Sequence, residues 1–215
     1  MEAMILVAHA DDETLGAGGI IQKLIKRSWQ VNVVILSSGV RFMAPRRRGK
    51  DNRIDAKAAC TVLGVGEPKF LGFPDQKFDQ VPMANLASAV SSLEMSPDLI
   101  VTHVGTDLNL DHRLTCDVAK ILGRPVRKPV SILGCEIPSV TSWNGQSFSA
   151  NFYVDITDEI EKKIVAFAKY QNELKPFPHP WSEKGLRLMA EYRGMQCGYR
   201  YAEAFSVIRA CEKLL

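Results

Sequence analysis

One imidazole and three carboxylates stand within five positions near the start of the chain: His9, Asp11, Asp12 and Glu13. Packing alone gives no reason for this cluster, because unpaired like charges are costly to hold together. A divalent cation would make these groups compatible. His9 and Asp12 are three residues apart and can reach one ion from the same side. Asp11 is then expected to point elsewhere and to stay free.

Two other interpretations apply to this stretch. The three acids would also cap a following helix, because negative charge in a first turn complements the helix dipole. A single acid would be routine there, but three acids directly after a histidine at the end of a strand favour a metal site. A dinucleotide-binding turn is excluded, because Gly16, Gly18 and Gly19 lack the spacing of G-x-G-x-x-G.

Local patterns place the cluster at a turn between a strand and a helix. An apolar run at 4–8 is short enough to be a buried strand, and apolar residues recur with helical spacing at 20–29. Open α/β sheets bind their ligands at such turns. A second polar stretch, 102–113, follows another short apolar run and precedes another helical pattern. It contains His103 and His112, two of the four histidines.

Strands and helices alternate along the whole chain. The remaining strands are predicted at 31–36, 69–73, 129–138, 151–156 and 204–209, and the remaining helices at 51–63, 81–93, 157–168 and 182–192. This alternation predicts a Rossmann-like α/β fold of three layers, with a mostly parallel sheet covered by helices, and a single domain over 1–215. Because the carboxyl ends of parallel strands meet at one edge, the two polar stretches should face each other.

The composition is that of an ordinary globular protein, with 46% hydrophobic and 24% charged residues. No apolar run is long enough to span a membrane and no signal-peptide pattern is present, so a cytoplasmic location is expected. A net charge of +3 is too small to indicate nucleic-acid binding. The five cysteines are odd in number and lack a C-x-x-C pair, which predicts reduced thiols.

Four basic residues in five positions follow the second predicted strand: Arg46, Arg47, Arg48 and Lys50. They would lie at the same edge of the sheet as the His9 cluster. Such charge would attract a phosphate or another anionic substrate, although a solvated loop explains it equally well.

Two imidazoles and one carboxylate around one ion, with a position left for water, have the composition of a catalytic zinc site. Asp111 and His112, at the predicted start of a helix, would face His9 and Asp12 across the sheet edge. The last histidine, His179, stands in a segment with three prolines in five residues, which excludes a helix. This rigidity is compatible with a surface position or with a side chain aimed into a pocket.

The segment from His9 to Glu13 resembles the A-H-P-D-D-E signature of the PIG-L/LmbE-like zinc-dependent N-deacetylases. Residues 109–112 resemble the second motif of that family, H-x-D-H, and 178–180 and 201–205 are similar to members associated with saccharide biosynthesis. The resemblance extends over most of the chain, with both motifs in the expected order.

The resemblance implies roles for individual residues. His9, Asp12 and His112 would bind Zn²⁺, with another divalent ion such as Fe²⁺ as the alternative. Asp11 would be the general base, and Asp111 would orient a ligand imidazole through its second nitrogen.

Two positions depart from the family pattern. Ala10 replaces the usual proline, which changes loop stiffness rather than a ligand. Asn109 replaces the first histidine of H-x-D-H, which in the family helps to stabilise charge in the transition state. An asparagine donates a hydrogen bond but carries no charge, so we expect Asn109 and His179 together to replace that histidine. His103 is the less favoured substitute.

The sequence therefore predicts an enzyme that hydrolyses the N-acetyl group of an acetamido sugar, a GlcNAc-type saccharide that could carry a nucleotide, a lipid or an aglycone. Metal-activated water would attack, with Asp11 as base and then as acid. The alternatives are a non-catalytic zinc-binding Rossmann-like module, which Asn109 supports, and a metal-dependent hydrolase of another bond such as a phosphoester. A small saccharide is the expected partner, without nucleic acid, and homo-oligomerisation is left open.

Overall fold

The computed structural model describes residues 1–42 and 50–211. Seven strands in this part of the chain form one sheet: β1 (Glu2–Val7), β2 (Gln30–Ser37), β3 (Lys69–Phe73), β4 (Leu99–Thr102), β5 (Ser131–Cys135), β6 (Phe152–Asp155) and β7 (Ala202–Arg209). The same part contains six α-helices: α1 (Asp12–Lys26), α2 (Arg53–Leu63), α3 (Met83–Ser91), α4 (Leu110–Leu122), α5 (Ile160–Phe167) and α6 (Glu183–Met195). A short 3₁₀ helix lies at Phe78–Gln80.

The strand order is β3-β2-β1-β4-β5-β7-β6. Strands β1 to β5 are parallel to their neighbours, whereas β7 runs antiparallel to both β5 and β6. The chain builds outward from β1 to β3 and then crosses back to place β4 on the other side of β1. This reversal is a topological switch point, where α/β folds bind ligands beside the carboxyl ends of their strands.

Both faces of the sheet are covered, which explains the uninterrupted apolar run of β1. Alternate residues point to opposite faces, so that Ile5 and Val7 pack in one apolar cluster, and Met4 and Leu6 pack in the other. Helices α1, α2 and α5 contribute to the first cluster, and α3 and α4 contribute to the second. The three-layer α/β fold predicted from the sequence is confirmed.

Helix α1 begins directly after the turn that follows β1, so its first turn lies at the carboxyl edge of the sheet. Glycines in its interior allow a close approach to the sheet. A Cβ on Gly16 would lie 2.5 Å from Cys135 Sγ, a distance that real side chains do not adopt. A glycine costs a helix interior about 1 kcal/mol, which the close packing offsets. This packing holds Asp12, in the first turn of α1, next to the end of β1.

Most predicted boundaries lie within a few residues of the observed ones. α2 ends before Gly64, which adopts the left-handed φ of 87° that its glycine predicts. α1 ends at Lys26 rather than near Trp29, because the chain turns there to enter β2. α3 is shorter than the predicted 81–93, because Pro82 caps its start and cannot extend the helix backward.

The five cysteines are free thiols, as predicted. Within the described residues, no helix is both long and apolar enough to cross a lipid bilayer. Arg46, Arg47 and Arg48 of the predicted basic loop lie outside the described residues. Lys50 is described, and its Nζ donates to Asn172 Oδ1 at 2.6 Å.

Candidate metal centre

Two elements at the switch point bring the predicted ligands together. The turn after β1 leads from His9 to Asp12 at the start of α1, and α4, which follows β4, carries His112 in its first turn. The three residues are buried, with at most 3% of each exposed. Burial removes the water that would solvate their polar atoms, so each atom needs a partner.

Three atoms of these residues converge, and we call them the metal triangle: His9 Nδ1, Asp12 Oδ2 and His112 Nε2. Its edges measure 3.5 Å from His9 Nδ1 to Asp12 Oδ2, 3.3 Å from His112 Nε2 to Asp12 Oδ2, and 3.2 Å between the two nitrogens. A tetrahedral ion with ligand bonds of about 2.0–2.2 Å holds its donor atoms roughly 3.3–3.6 Å apart. The triangle therefore has nearly the size of one face of a tetrahedral coordination shell.

Asp12 Oδ2 of the triangle also accepts the His9 amide at 2.9 Å. His9 Nδ1 and His112 Nε2 face each other, so only one of them can carry a proton along the line between them. Two imidazole nitrogens and one carboxylate oxygen around an ion leave a fourth position for water or substrate, which is the arrangement of catalytic zinc sites. The residues present thus fit a divalent ion.

Surrounding charges shift the pKa values of all three residues. Burial lowers the pKa of both imidazoles, but hydrogen bonds to Asp111 and Asp12 outweigh it and raise the pKa of His9 to about 9. At His112, burial is likewise the largest cause, but the charges of Asp12 and Asp107 and the close polar contacts with them together raise the pKa to about 10. Burial also opposes ionisation of Asp12, yet the charge of His112 holds its pKa well below the usual value. In the metal-free protein, protons therefore compete with an ion for the imidazoles at neutral pH.

Each ligand imidazole has a carboxylate at its other nitrogen. Asp111 Oδ2 lies 3.0 Å from His9 Nε2, and Asp111 Oδ1 accepts the Phe78 amide at 3.1 Å. Asp107 Oδ2 lies 3.1 Å from His112 Nδ1, although the angle falls outside that of a hydrogen bond. Such carboxylates fix the tautomer and orientation of metal-binding histidines. Asp107 was not predicted from the sequence, where its only signal is an acid in the loop before His112.

His103 is fully buried beside the triangle. Its Nε2 accepts the Ala8 amide at 3.0 Å, and burial lowers the pKa of its imidazole, which keeps the ring neutral. The ring stacks on His112, with centroids 3.8 Å apart and 15° between the planes. Although His103, Asp107 and His112 form a second group of possible ligands, stacked rings direct their lone pairs side by side rather than at one ion. These contacts favour a structural role for His103 over a charged one.

Asp11 lies next to the triangle but outside it. Its φ of 126° is rare for a residue with a side chain and costs about 1–3 kcal/mol. Its carboxylate is buried, and Oδ2 accepts a hydrogen bond from Arg41 Nη2 at 2.6 Å. Asp11 thus stays outside the group of possible ligands, but the sequence did not indicate its partner, Arg41, which approaches from the segment after β2. Burial raises the pKa of Asp11 well above its usual value, and the Arg41 charge opposes this only in part.

Glu13, the third acid of the cluster, supports the turn. It is fully buried and accepts hydrogen bonds from the Asp11 amide at 3.1 Å, the Thr14 hydroxyl at 2.8 Å and the Tyr170 hydroxyl at 2.5 Å. The first of these bonds holds the strained Asp11 backbone, and the other two hold Glu13 itself. Tyr170 is 157 residues away along the chain, so no local pattern indicates this contact.

The loop after β3 adds two polar groups that the sequence analysis did not assign. Asp75 Oδ1 lies 3.5 Å from His9 Nε2, and Gln76 Nε2 lies 3.3 Å from the same nitrogen. Asp75 Oδ2 also accepts the Phe42 amide at 2.7 Å. In the sequence, only the position of Asp75 and Gln76 indicates a place at the site, because they follow the carboxyl end of a parallel strand.

Asn109 and His179 make contacts outside the metal triangle. Asn109 caps the start of α4, where its Oδ1 accepts the Asp111 amide at 2.9 Å. His179 Nδ1 accepts the Trp181 amide at 3.0 Å, and its ring lies edge-on to Trp143 with centroids 5.6 Å apart. Neither residue belongs to the metal triangle. Their joint role in stabilising charge stays a prediction.

A family model described as PIG-L, GlcNAc-PI de-N-acetylase, matches residues 4–122 of the chain, a range that includes the whole metal triangle. The chain is also similar to the diacetylchitobiose deacetylase of Thermococcus kodakarensis. The two are 23% identical over 229 residues, which cover 96% of this chain and 83% of that protein.

Two solved structures have the same fold. The N,N'-diacetylchitobiose deacetylase of Pyrococcus horikoshii, complexed with its inhibitor MPG, matches with a TM-score of 0.76 and 20% identity over 100% of this chain and 88% of that one. GalB, the 4-carboxy-2-hydroxymuconate hydratase of Pseudomonas putida, matches with a TM-score of 0.73 and 23% identity over 98% of both chains. Because one fold serves a deacetylase and a hydratase, the reaction of this chain has to be argued from its site.

Proposed function

The chain belongs to the PIG-L family of GlcNAc-PI de-N-acetylases, and from this membership we propose that it is a metal-dependent enzyme that removes the N-acetyl group from an acetamido sugar. The observation that carries the proposal is the metal triangle at the switch point of the sheet. Its donor set and its edges suit a tetrahedral divalent ion held by His9, Asp12 and His112. Zn²⁺ is the ion that we propose, with Fe²⁺ as the alternative.

A divalent ion at this position supplies a Lewis acid for the acetyl oxygen and lowers the pKa of water to about 7. The reaction also needs a group that accepts a proton from water and later donates it to the departing nitrogen. Asp11 has the position and the environment for this role, because its carboxylate lies beside the triangle and burial raises its pKa. A raised pKa makes a carboxylate a better proton acceptor near neutral pH.

Asp11 takes part in both steps of the proposed hydrolysis. The oxygen of water bonds to the acetyl carbon, and Asp11 takes the proton that this oxygen loses. As the carbon–nitrogen bond breaks, Asp11 passes that proton to the departing nitrogen. The products are acetate and the free amine of the sugar.

Asp111 and Asp107 keep the ligand imidazoles in the tautomers that an ion requires. Asp111 faces Nε2 of His9, and Asp107 faces Nδ1 of His112. A hydrogen bond to Asp111 at His9 and the charge of Asp107 at His112 favour a proton on these nitrogens, which leaves the opposite ring nitrogen with its lone pair directed into the triangle. This part of the proposal extends the orienting role from Asp111, which the family resemblance implies, to Asp107.

The related proteins support a saccharide substrate. Two of them are named as diacetylchitobiose deacetylases, so we propose a GlcNAc-type sugar as the acetylated unit. Nucleotide-linked, lipid-linked and aglycone-linked forms of that unit define the substrates to compare.

Acetate release from a panel of N-acetylated saccharides tests the proposal. The panel contains free GlcNAc, diacetylchitobiose and nucleotide-linked and lipid-linked GlcNAc, each with and without a chelator. We expect equal amounts of acetate and free amine from at least one substrate, loss of activity on chelation, and recovery with Zn²⁺ or Fe²⁺. Full activity in protein shown to be metal-free by elemental analysis would contradict the proposal.

The same experiments distinguish the two alternative functions, a hydrolase of another bond and a non-catalytic binding module. Release of phosphate from phosphoester analogues, without acetate, would favour hydrolysis of another bond. One bound ion per chain without turnover of any substrate would favour a binding module.

A further inference from the structure

Among the described residues, Arg41 is the only arginine or lysine that forms an ion pair with an aspartate of the metal centre. Its Nη2 donates to Asp11 Oδ2 at 2.6 Å. The Arg41 side chain is only 16% exposed, so water does little to screen this charged hydrogen bond. Within the described part of the chain, no other side chain donates to the Asp11 carboxylate.

Two further contacts hold Arg41, one through its guanidinium and one through its backbone amide. Nε of Arg41 donates to Glu173 Oε1 at 3.0 Å, and this buried oxygen also accepts Asn52 Nδ2 at 3.2 Å. The Arg41 amide donates to the Lys50 carbonyl at 2.9 Å. Because a guanidinium is planar, acceptors at both Nε and Nη2 fix its whole plane.

The next residue ties the same segment to the ligands. The Phe42 amide donates to Asp75 Oδ2 at 2.7 Å, and Asp75 Oδ1 lies 3.5 Å from His9 Nε2. The backbone on both sides of the Arg41 side chain is therefore anchored, on one side to Lys50 and on the other to a carboxylate beside the triangle.

We propose that Arg41 is a positioning residue for Asp11, whose carboxylate it holds in the direction from which that group accepts a proton from water. The proposal rests on the proposed function, in which Asp11 is the base. The Asp11 backbone is already fixed by its φ of 126° and by the hydrogen bond to Glu13. Rotation about the side-chain bonds of Asp11 is the freedom that remains, and the Arg41 contact removes it.

Arg41 also separates two buried carboxylates, those of Asp11 and Glu173. Its truncation would leave these like charges facing one another, which would destabilise the fold. The experiment must therefore separate loss of position from loss of stability. The Glu173→Gln background does so, because it removes one of the two like charges and keeps the acceptor oxygen for Asn52.

The test compares Arg41→Lys and Arg41→Ala, alone and in the Glu173→Gln background. We expect Arg41→Ala to lower kcat about 10²-fold, the scale of a misplaced reacting group, with KM and metal content nearly unchanged. Arg41→Lys should be intermediate, because an ammonium keeps the charge but not the planar fork. Guanidinium ion at millimolar concentration should restore part of kcat in Arg41→Ala and none in the parent protein.

Arg53→Ala is the matched control, since this guanidinium is 52% exposed and pairs with Asp51 at the surface. It should keep the parent kcat and show no response to guanidinium ion. Thermal unfolding provides the second readout: the ion should raise the Tm of Arg41→Ala but not that of Arg53→Ala.

Recovery of Tm without recovery of kcat would assign Arg41 a purely structural role and overturn the proposal. Parent-like kcat in Arg41→Ala would do the same while leaving the deacetylase function intact. A parent protein that releases no acetate from any saccharide would instead overturn the proposed function from which the role of Asp11 derives.

Discussion

Two clusters of buried charged residues contact helix α1, and they differ in how their polar atoms are arranged. At the first turn of α1, the metal centre brings together ligand atoms that repel or compete with one another. Beside the middle of α1 lies a second group, which we call the paired cluster: Lys163, Glu203, Glu136 and Arg193. Lys163 Nζ lies 2.6 Å from Glu203 Oε1, and Arg193 donates to both oxygens of Glu136 at 2.8 and 2.5 Å.

Each charge of the paired cluster has a partner of opposite sign. Lys163 also donates to the Leu15 carbonyl at 2.8 Å, and Glu203 accepts the Gly19 and Ile20 amides at 2.6 and 2.7 Å. The cavity between these residues is about 30 Å³, which is room for one or two water molecules. Buried pairs of this kind are costly to break, but they leave no unsatisfied donor atoms for a ligand.

The metal centre differs in that its three atoms converge on one point. His9 Nδ1 and His112 Nε2 face each other at 3.2 Å, and both lie within 3.5 Å of one oxygen of Asp12. Protons on the two imidazoles can satisfy the triangle by donating to Asp12, and an ion that displaces these protons can bind all three atoms at once. The comparison shows that burial of charge does not by itself indicate function. The informative feature is whether the buried donor atoms converge on a point that one ion can occupy.

Removal of a triangle ligand should have the largest effect. We expect His9→Ala and His112→Ala to lose the ion and to reduce turnover to background, because two remaining ligands do not complete a three-ligand catalytic site. Elemental analysis after dialysis and acetate release provide the measurements. Glu203→Gln, in the paired cluster, is the control and should keep one ion per chain. Full metal content in both histidine variants would contradict the assignment.

Asp11→Asn comes next. This substitution keeps the size of the side chain and removes its basicity, so kcat should fall about 10²–10⁴-fold, the usual contribution of general acid–base catalysis. Metal content should stay at one ion per chain, since Asp11 lies outside the triangle. A kcat within a few-fold of the parent at saturating metal would show that another group takes the proton.

The two orienting carboxylates should have a smaller effect, and it should appear in metal affinity. We expect Asp107→Asn and Asp111→Asn each to raise the metal Kd about 10–100-fold, the typical result of losing such a partner. Competition with a chelating dye measures this change. An unchanged Kd in Asp107→Asn would mean that its 3.1 Å approach to His112 does not orient that ring.

The convergence of His9, Asp12 and His112 was predictable from the sequence, because two local features are sufficient to find it. Parallel strands put their carboxyl ends at one edge, and this rule alone brings His9 and His112 together across 103 residues of chain. The fold class followed from the same alternation of strands and helices. Such inferences need only element type and strand direction, which short-range periodicity encodes.

The partners of Asp11 and Glu13 were not predictable in this way. The direction of the Asp11 side chain depends on its φ of 126°, which a non-glycine residue rarely adopts and which no local pattern indicates. Arg41 and Tyr170 reach the turn from separate parts of the chain, and their contacts depend on how whole elements pack. Long-range pairing of side chains is a result of tertiary packing, so the sequence could propose roles here but not partners.

The metal affinity should also depend on pH. Because the metal-free pKa values are about 9 for His9 and about 10 for His112, an ion must displace protons at neutral pH. Metal affinity should therefore rise as pH increases toward this range and level off above it, by about tenfold per pH unit for each proton displaced. Calorimetric titrations in buffers of different ionisation enthalpy count the protons released. Release of none at pH 7 would contradict the charge state described for the triangle.

The paired cluster should have the smallest effect on the site and a large effect on stability. Glu203→Gln keeps an acceptor for the α1 amides but leaves Lys163 unpaired, so we expect a loss of about 3–5 kcal/mol in the free energy of unfolding. The double variant Lys163→Met and Glu203→Gln removes both charges and should recover most of that loss. In both variants, the metal Kd and kcat should stay within a few-fold of the parent at temperatures where the protein is folded. If the metal Kd instead changed in step with the free energy of unfolding, α1 would couple the two clusters, and their division into a structural and a ligand-binding cluster would fail.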